Sequence, residues 1–86
     1  MRRVYKYPIQ LSDMVELSMP AGARVLLVAA QHGVGTMWAE VDDLALYEVR
    51  RFRIFGTGHA IPDDSLIHVG SFLDGDFVWH LFEAIT

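Results

Sequence analysis

The chain has 86 residues, no cysteine and a formal net charge of −4, with 52% apolar and 21% charged residues. That length makes one domain, spanning 1–86, whose core is thin: a chain this short buries roughly two-thirds of its unfolded surface. The composition excludes disorder, disulfides and thiolate metal sites, and the acidic balance argues against general nucleic-acid binding. Arg2 and Arg3 are followed by Tyr5, Lys6, Tyr7 and Pro8 where a targeting signal needs an apolar run. The longest aliphatic run, 25–30, is far short of the roughly 20 residues that span a membrane. A soluble cytoplasmic protein without a membrane partner is expected. The apolar content is rich for a lone domain, so copies of itself are expected to cover the surplus in a homo-oligomer.

Short runs rich in Val, Ile, Phe, Tyr and Trp, separated by turn signals, are the mark of strands. Residues 4–10 read as a first strand, with Pro8 marking an edge or an end. In 14–19, Met14, Glu16 and Ser18 alternate with Val15, Leu17 and Met19, as on a half-buried strand. Pro20-Ala21-Gly22 is a turn. Residues 24–31 are apolar on both faces, the pattern of a central, doubly covered strand. His32-Gly33 signals a hairpin, and 34–42 is its return strand, with Met37, Ala39 and Val41 opposite Thr36, Trp38 and Glu40. Residues 42–47 fit either one helical turn capped by Asp42 or a loop. Strands follow over 47–55, 65–73 and 77–83, the last two joined at Asp74-Gly75. The sum is an all-β domain of about seven short antiparallel strands in a sandwich or barrel-like sheet, with at most one short helix.

The densest chemistry lies in 50–64. Alternation puts Arg51 and Arg53 on one face of their strand and Arg50 on the other with Phe52 and Ile54. Guanidinium forks bind phosphate bidentately. The same arginines would equally suit a solvated face paired with Glu40, Glu48 or Asp42. Gly56-Thr57-Gly58-His59 follows, with backbone N–H groups that could form an anion nest, a hydroxyl and an imidazole. It would also serve as a plain turn whose glycines supply positive φ. No Lys-Ser/Thr pair follows, so it is not a Walker loop.

The four histidines, His32, His59, His68 and His80, form no metal-ligand spacing, and neither a metal nor a cofactor is expected. His59 is the functional candidate. His80, among Phe77, Val78, Trp79, Leu81 and Phe82, reads as a satisfied core or interface histidine. Trp38, between polar Thr36 and Glu40, is the aromatic candidate for stacking on a base, whereas Trp79 reads as packing. Ser12, Ser18, Ser65 and Ser71 lack a nucleophile-elbow context, and no catalytic residue is assigned.

The order of these pieces carries a resemblance. Tyr5-Lys6-Tyr7, Pro20-Ala21-Gly22-Ala23-Arg24-Val25-Leu26, Trp38-Ala39-Glu40-Val41-Asp42, Arg53-Ile54-Phe55-Gly56-Thr57-Gly58-His59-Ala60-Ile61 and Val78-Trp79-His80-Leu81-Phe82-Glu83 run in sequence. Over nearly its whole length the chain resembles a family of small bacteriophage and prophage proteins of unassigned function, with the Phe-Gly-Thr-Gly-His loop as the most specific part. Small phage proteins of this type include nucleotide sponges, oligomers that sequester the cyclic-nucleotide signals of antiphage defence without cleaving them. The resemblance implies a binding protein of the host cytoplasm, not an enzyme, whose partner is a small phosphorylated ligand. Arg51, Arg53, Gly56, Thr57, Gly58, His59 and Trp38 form the expected ligand site. The alternatives are an interaction module using the apolar surplus and a metal-assisted hydrolase using His59 with Asp63 or Asp64.

Overall fold

A computed structural model describes residues 1–62 and 65–85. Its elements, in order, are β1 (Arg2–Pro8), β2 (Met14–Pro20), β3 (Arg24–Gln31), β4 (Val34–Asp42), β5 (Tyr47–Gly56), β6 (Leu66–Asp74) and β7 (Phe77–Ala84). The described residues contain no helix, and so none that is long and apolar enough to cross a membrane. All pairings are antiparallel. They form a three-stranded sheet, β1-β4-β3, and a four-stranded sheet, β2-β5-β7-β6, neither closed into a barrel.

Turn chemistry accounts for the connections. His32 and Gly33 have φ of 52° and 78°, the two positive values that a type I′ hairpin turn needs. Of the two alternatives at 42–47, the segment is a loop: the Asp42 carboxylate accepts the Leu44 N–H at 3.0 Å, and the Ala45 N–H donates to the Asp42 carbonyl at 3.1 Å. Pro8 ends β1, which is an edge strand.

One expectation is corrected. β3 is not central but an edge of the smaller sheet; β4 is the central strand there. The pairing of β3 with β4 shifts between Val25 and Leu27, so a bulge breaks the two-residue alternation. Val25 and Val28 face the core, while Leu26 and Leu27 are both exposed. Apolar residues on two faces looked like double burial, but the second face is open.

The core lies between the sheets. Met19, Met37, Val41, Phe52 and Leu81 are its most deeply buried side chains, with Ile9, Ala39, Ile54 and Phe72 around them. Two glycines let the layers approach. A Cβ on Gly70 would lie 2.5 Å from Val28 Cγ2 across the sheets, and one on Gly35 would lie 2.5 Å from the Phe72 ring.

Arg50 is directed inward. Its Nε and Nη2 donate to the Glu83 carboxylate at 2.6 and 2.7 Å, and its Nη1 donates to the Ala23 carbonyl at 2.5 Å. Hydrogen bonding to Glu83 holds the Arg50 pKa above its ordinary value. Glu83 belongs to β7 and Ala23 precedes β3, so one guanidinium ties both sheets together.

Gly70→Ala and Gly35→Ala are each expected to lower stability by about 1–3 kcal/mol through overpacking, read as a lower urea midpoint at unchanged slope. Phe72→Leu in the Gly35→Ala background should recover part of the loss. A change of only a few tenths in either glycine variant would contradict the close approach. Glu83→Gln strands the Arg50 charge in a partly buried place and should cost about 1–3 kcal/mol, whereas Arg50→Met with Glu83→Met should recover much of it. Equal stability of Glu83→Gln and the parent in chemical denaturation would refute the clamp.

Candidate functional site

On β5, alternate side chains go to opposite sides of the larger sheet. Arg50, Phe52 and Ile54 face inward; Val49, Arg51, Arg53 and Phe55 face outward, as alternation predicts. The outward arginines differ in their commitments. Arg51 Nε lies 3.1 Å from Glu16 Oε2, with both side chains about half exposed. An ion pair of that kind contributes roughly 0–1 kcal/mol and exchanges readily. Glu16, rather than Glu40, Glu48 or Asp42, is the partner, because β2 is the neighbour of β5. Arg53 donates from Nε to the Asp13 carbonyl at 3.2 Å, and its guanidinium carbon lies 5.4 Å from the Phe55 ring centroid. Among the described residues no carboxylate lies within ion-pair distance of Arg53.

The same face carries a chain of polar side chains that the sequence reading did not assemble. His68 Nε2 lies 3.0 Å from Ser71 Oγ, Ser71 Oγ lies 2.8 Å from His80 Nδ1, and His80 Nε2 lies 2.9 Å from Thr57 Oγ1. Register builds it: Ser71 of β6 stands opposite His80 of β7, and His80 stands opposite Phe55 of β5. Phe82 lies one pair along, opposite both Arg53 and His68, with its ring 5.6 Å from Phe55 and 5.2 Å from His68. Arg53 and His68 thus flank an aromatic floor, and Thr57, His80 and Ser71 close one end. His80 is a half-buried member of this face rather than a core residue. The available signal was alternation: Val78, His80 and Phe82 share the face opposite Trp79 and Leu81.

Gly56-Thr57-Gly58-His59 forms a tight turn. The His59 N–H donates to the Gly56 carbonyl at 3.1 Å, and Gly58 at φ 89° fills the position where a type II turn requires glycine. The Gly56 N–H donates to His59 Nδ1 at 3.2 Å. Two of the four N–H groups expected in an anion nest are therefore spent inside the turn, and those of Thr57 and Gly58 remain to meet a ligand. A Cβ on Gly56 would lie 2.9 Å from His59 Cε1 and 3.2 Å from Trp79 Cζ3, so both rings close over its α-carbon. Thr57 reaches the outer face, while His59 turns to the sheet end.

Beside the turn is a cleft of ≈ 410 Å³ lined by Gly56, Thr57, His59, Asp76, Phe77, Val78 and Trp79. The rings of Phe77 and Trp79 are stacked at 6.0 Å and 26°, and Trp79 Nε1 donates to Asp74 Oδ2 at 3.3 Å, which fixes the indole. Trp79 packs against the core, as expected, and is also the tryptophan at the turn. Trp38 stands on the outer face of the other sheet between Lys6 and Leu27. The structure thus places Arg51 and Arg53 on the outer face, which Thr57 also reaches, keeps Gly56, Gly58 and His59 in the turn at the end of β5, and puts Trp38 on the other sheet. Asp63 and Asp64, the carboxylates considered for a metal, lie outside the described residues. No group of three or more His, Asp or Glu side chains among the described residues could hold a metal ion.

The chain belongs to the family described as a domain of unknown function, DUF7352, whose model matches residues 1–86. No curated protein and no solved structure matches it.

Ser71→Ala and Thr57→Val each delete one link of the chain through His80. Each is expected to change the His80 ring tautomer balance, read from its 15N shifts, at a stability cost of about 0.5–1.5 kcal/mol. Unchanged His80 shifts in both variants would show that the chain does not form in solution.

Proposed function

We propose that this protein binds a small phosphorylated ligand, of the cyclic-nucleotide class, on the outer face of β2-β5-β7-β6 and at turn 56–59, without cleaving it. The observation that carries the reading is the grouping of Arg51 and Arg53 with Thr57, His80, Ser71 and His68 on one face of a chain whose net charge is −4. Arg53 is free of carboxylates among the described residues, and Arg51 holds only an exchangeable surface pair. A phosphate can take bidentate bonds from either guanidinium, with hydroxyl and imidazole groups at the flank. The resemblance to bacteriophage and prophage proteins supports sequestration of a defence signal in the host cytoplasm. Self-association agrees with exposed Leu26 and Leu27 on β3 and with Leu44 and Leu46, 84% and 86% exposed in the 42–47 loop. Those leucines equally favour the second reading, an interaction module that docks on another protein.

Calorimetric titration with cyclic di- and trinucleotides tests the proposal. Arg53→Ala or His59→Ala should weaken binding about ten- to a hundredfold, the worth of one charge-assisted hydrogen bond. Arg24→Ala, on the other sheet, is the control and should leave affinity unchanged; Arg50→Ala is unsuited because Arg50 holds the sheets together. If no phosphorylated ligand binds, the interaction module replaces this reading. A chemically altered nucleotide after incubation would replace sequestration by hydrolysis.

A further inference from the structure

The cleft beside turn 56–59 differs in character from the arginine face. Its walls are aromatic: His59 and Trp79 close over Gly56, and Phe77, 63% exposed, stacks on Trp79. Its polar lining is Thr57, His59 and a carboxylate, Asp76, with no arginine or lysine. A phosphate is therefore disfavoured here, while a flat, uncharged ring is welcome. The polar atoms also have a sense. His59 Nδ1 accepts the Gly56 N–H, so the neutral ring carries its proton on Nε2 as a donor. Asp76 is an acceptor. Both residues line the cleft, so one donor and one acceptor are available to a ring that stacks on Phe77.

The geometry points to this cleft as the base subsite of the proposed nucleotide site, selective for a base with an amidine edge, such as adenine. The exocyclic amino group donates to the Asp76 carboxylate, the neighbouring ring nitrogen accepts from His59 Nε2, and the ring stacks on Phe77. Hypoxanthine has the same shape but offers a carbonyl and an N–H in the reverse order, setting oxygen against the carboxylate. Thr57 joins the two halves, since it lines the cleft and also meets His80 on the anion face. This inference rests on the reading of that face as a phosphate site.

Calorimetry with adenosine 5′-monophosphate, inosine 5′-monophosphate and ribose 5-phosphate separates the two claims. Adenosine monophosphate should bind about tenfold or more tighter than inosine monophosphate. Asp76→Ala should erase that preference, and Phe77→Ala should weaken both nucleotides about tenfold; neither should alter ribose 5-phosphate binding. Both positions are exposed, so the fold should tolerate the changes. Equal binding of the two nucleotides, or no effect of Phe77→Ala, overturns the base subsite while ribose 5-phosphate binding upholds the anion face. Displacement of adenosine monophosphate by tetramethylammonium would make the cleft a cation box and likewise overturn it. Absence of ribose 5-phosphate binding, with adenosine still preferred over inosine, would sink the anion reading and keep the subsite.

Discussion

The inward ion pair between Arg50 and Glu83 fixes more than its own two residues. Side chains on β5 alternate, so a one-residue slip against β7 would send Arg51 and Arg53 into the core and Phe52 and Ile54 into water. Glu83 stands opposite Phe52, and Arg50 reaches it diagonally with two parallel bonds of 2.6 and 2.7 Å. That fork has one satisfactory register. A partly buried pair adds little net stability, because desolvation offsets much of the attraction, but a misregistered one is expensive. The same guanidinium binds the Ala23 carbonyl and so holds the smaller sheet over the larger. The outward arginines owe their direction to the inward one.

The close approach at Gly35 and Gly70 complements this clamp. With side chains at those points, Phe72 and Val28 would need other places, and β6 would stand off from β3. β6 supplies His68 and Ser71 to the outer face, with a register shift between His68 and Gly70. Because that shift inserts one residue, His68 and Ser71 point outward although three positions apart, and Ser71 can touch both histidines. A regular strand would have turned one of them inward. Packing on the inner side thus sets the chemistry on the outer side.

Much of the fold was legible because its signals are local. The bounds of β3 and β4 follow from apolar runs on either side of His32-Gly33, whose paired positive φ values are a property of two residues. The split of the three arginines needed only alternation. What failed needed partners distant in sequence. The apolar faces of β3 implied cover, but edge or centre is decided by which strands pair, and the bulge at Leu26 is invisible in composition. The polar neighbours Thr36 and Glu40 make Trp38 a stacking candidate, but nothing in 36–40 says which sheet it joins. His80 has only apolar neighbours within its strand, Val78 and Phe82 included, and its polar partners Thr57 and Ser71 come from other parts of the chain.

Under the proposed reading, the charges of the described residues suit a small ligand better than a polymer. Glu40, Asp42 and Asp43 are held below their ordinary carboxylate values, chiefly by hydrogen bonds from Arg2, the Leu44 backbone N–H and Arg3, respectively. Those cations at the edge of the smaller sheet are therefore matched by acids. On β5 the balance is different: Arg50 is matched by Glu83, Arg51 only loosely by Glu16, and Arg53 by a carbonyl and an aromatic ring. Charges more than about 8 Å apart are largely screened at physiological salt, so the net −4 does not cancel this local excess. A compact anion within reach of Arg53 meets an attractive field, and one extending over the acidic cleft meets a repulsive one. Under the proposed reading, a ligand with its charge at one end and an uncharged aromatic ring at the other satisfies both halves of that surface, with Thr57 at the boundary.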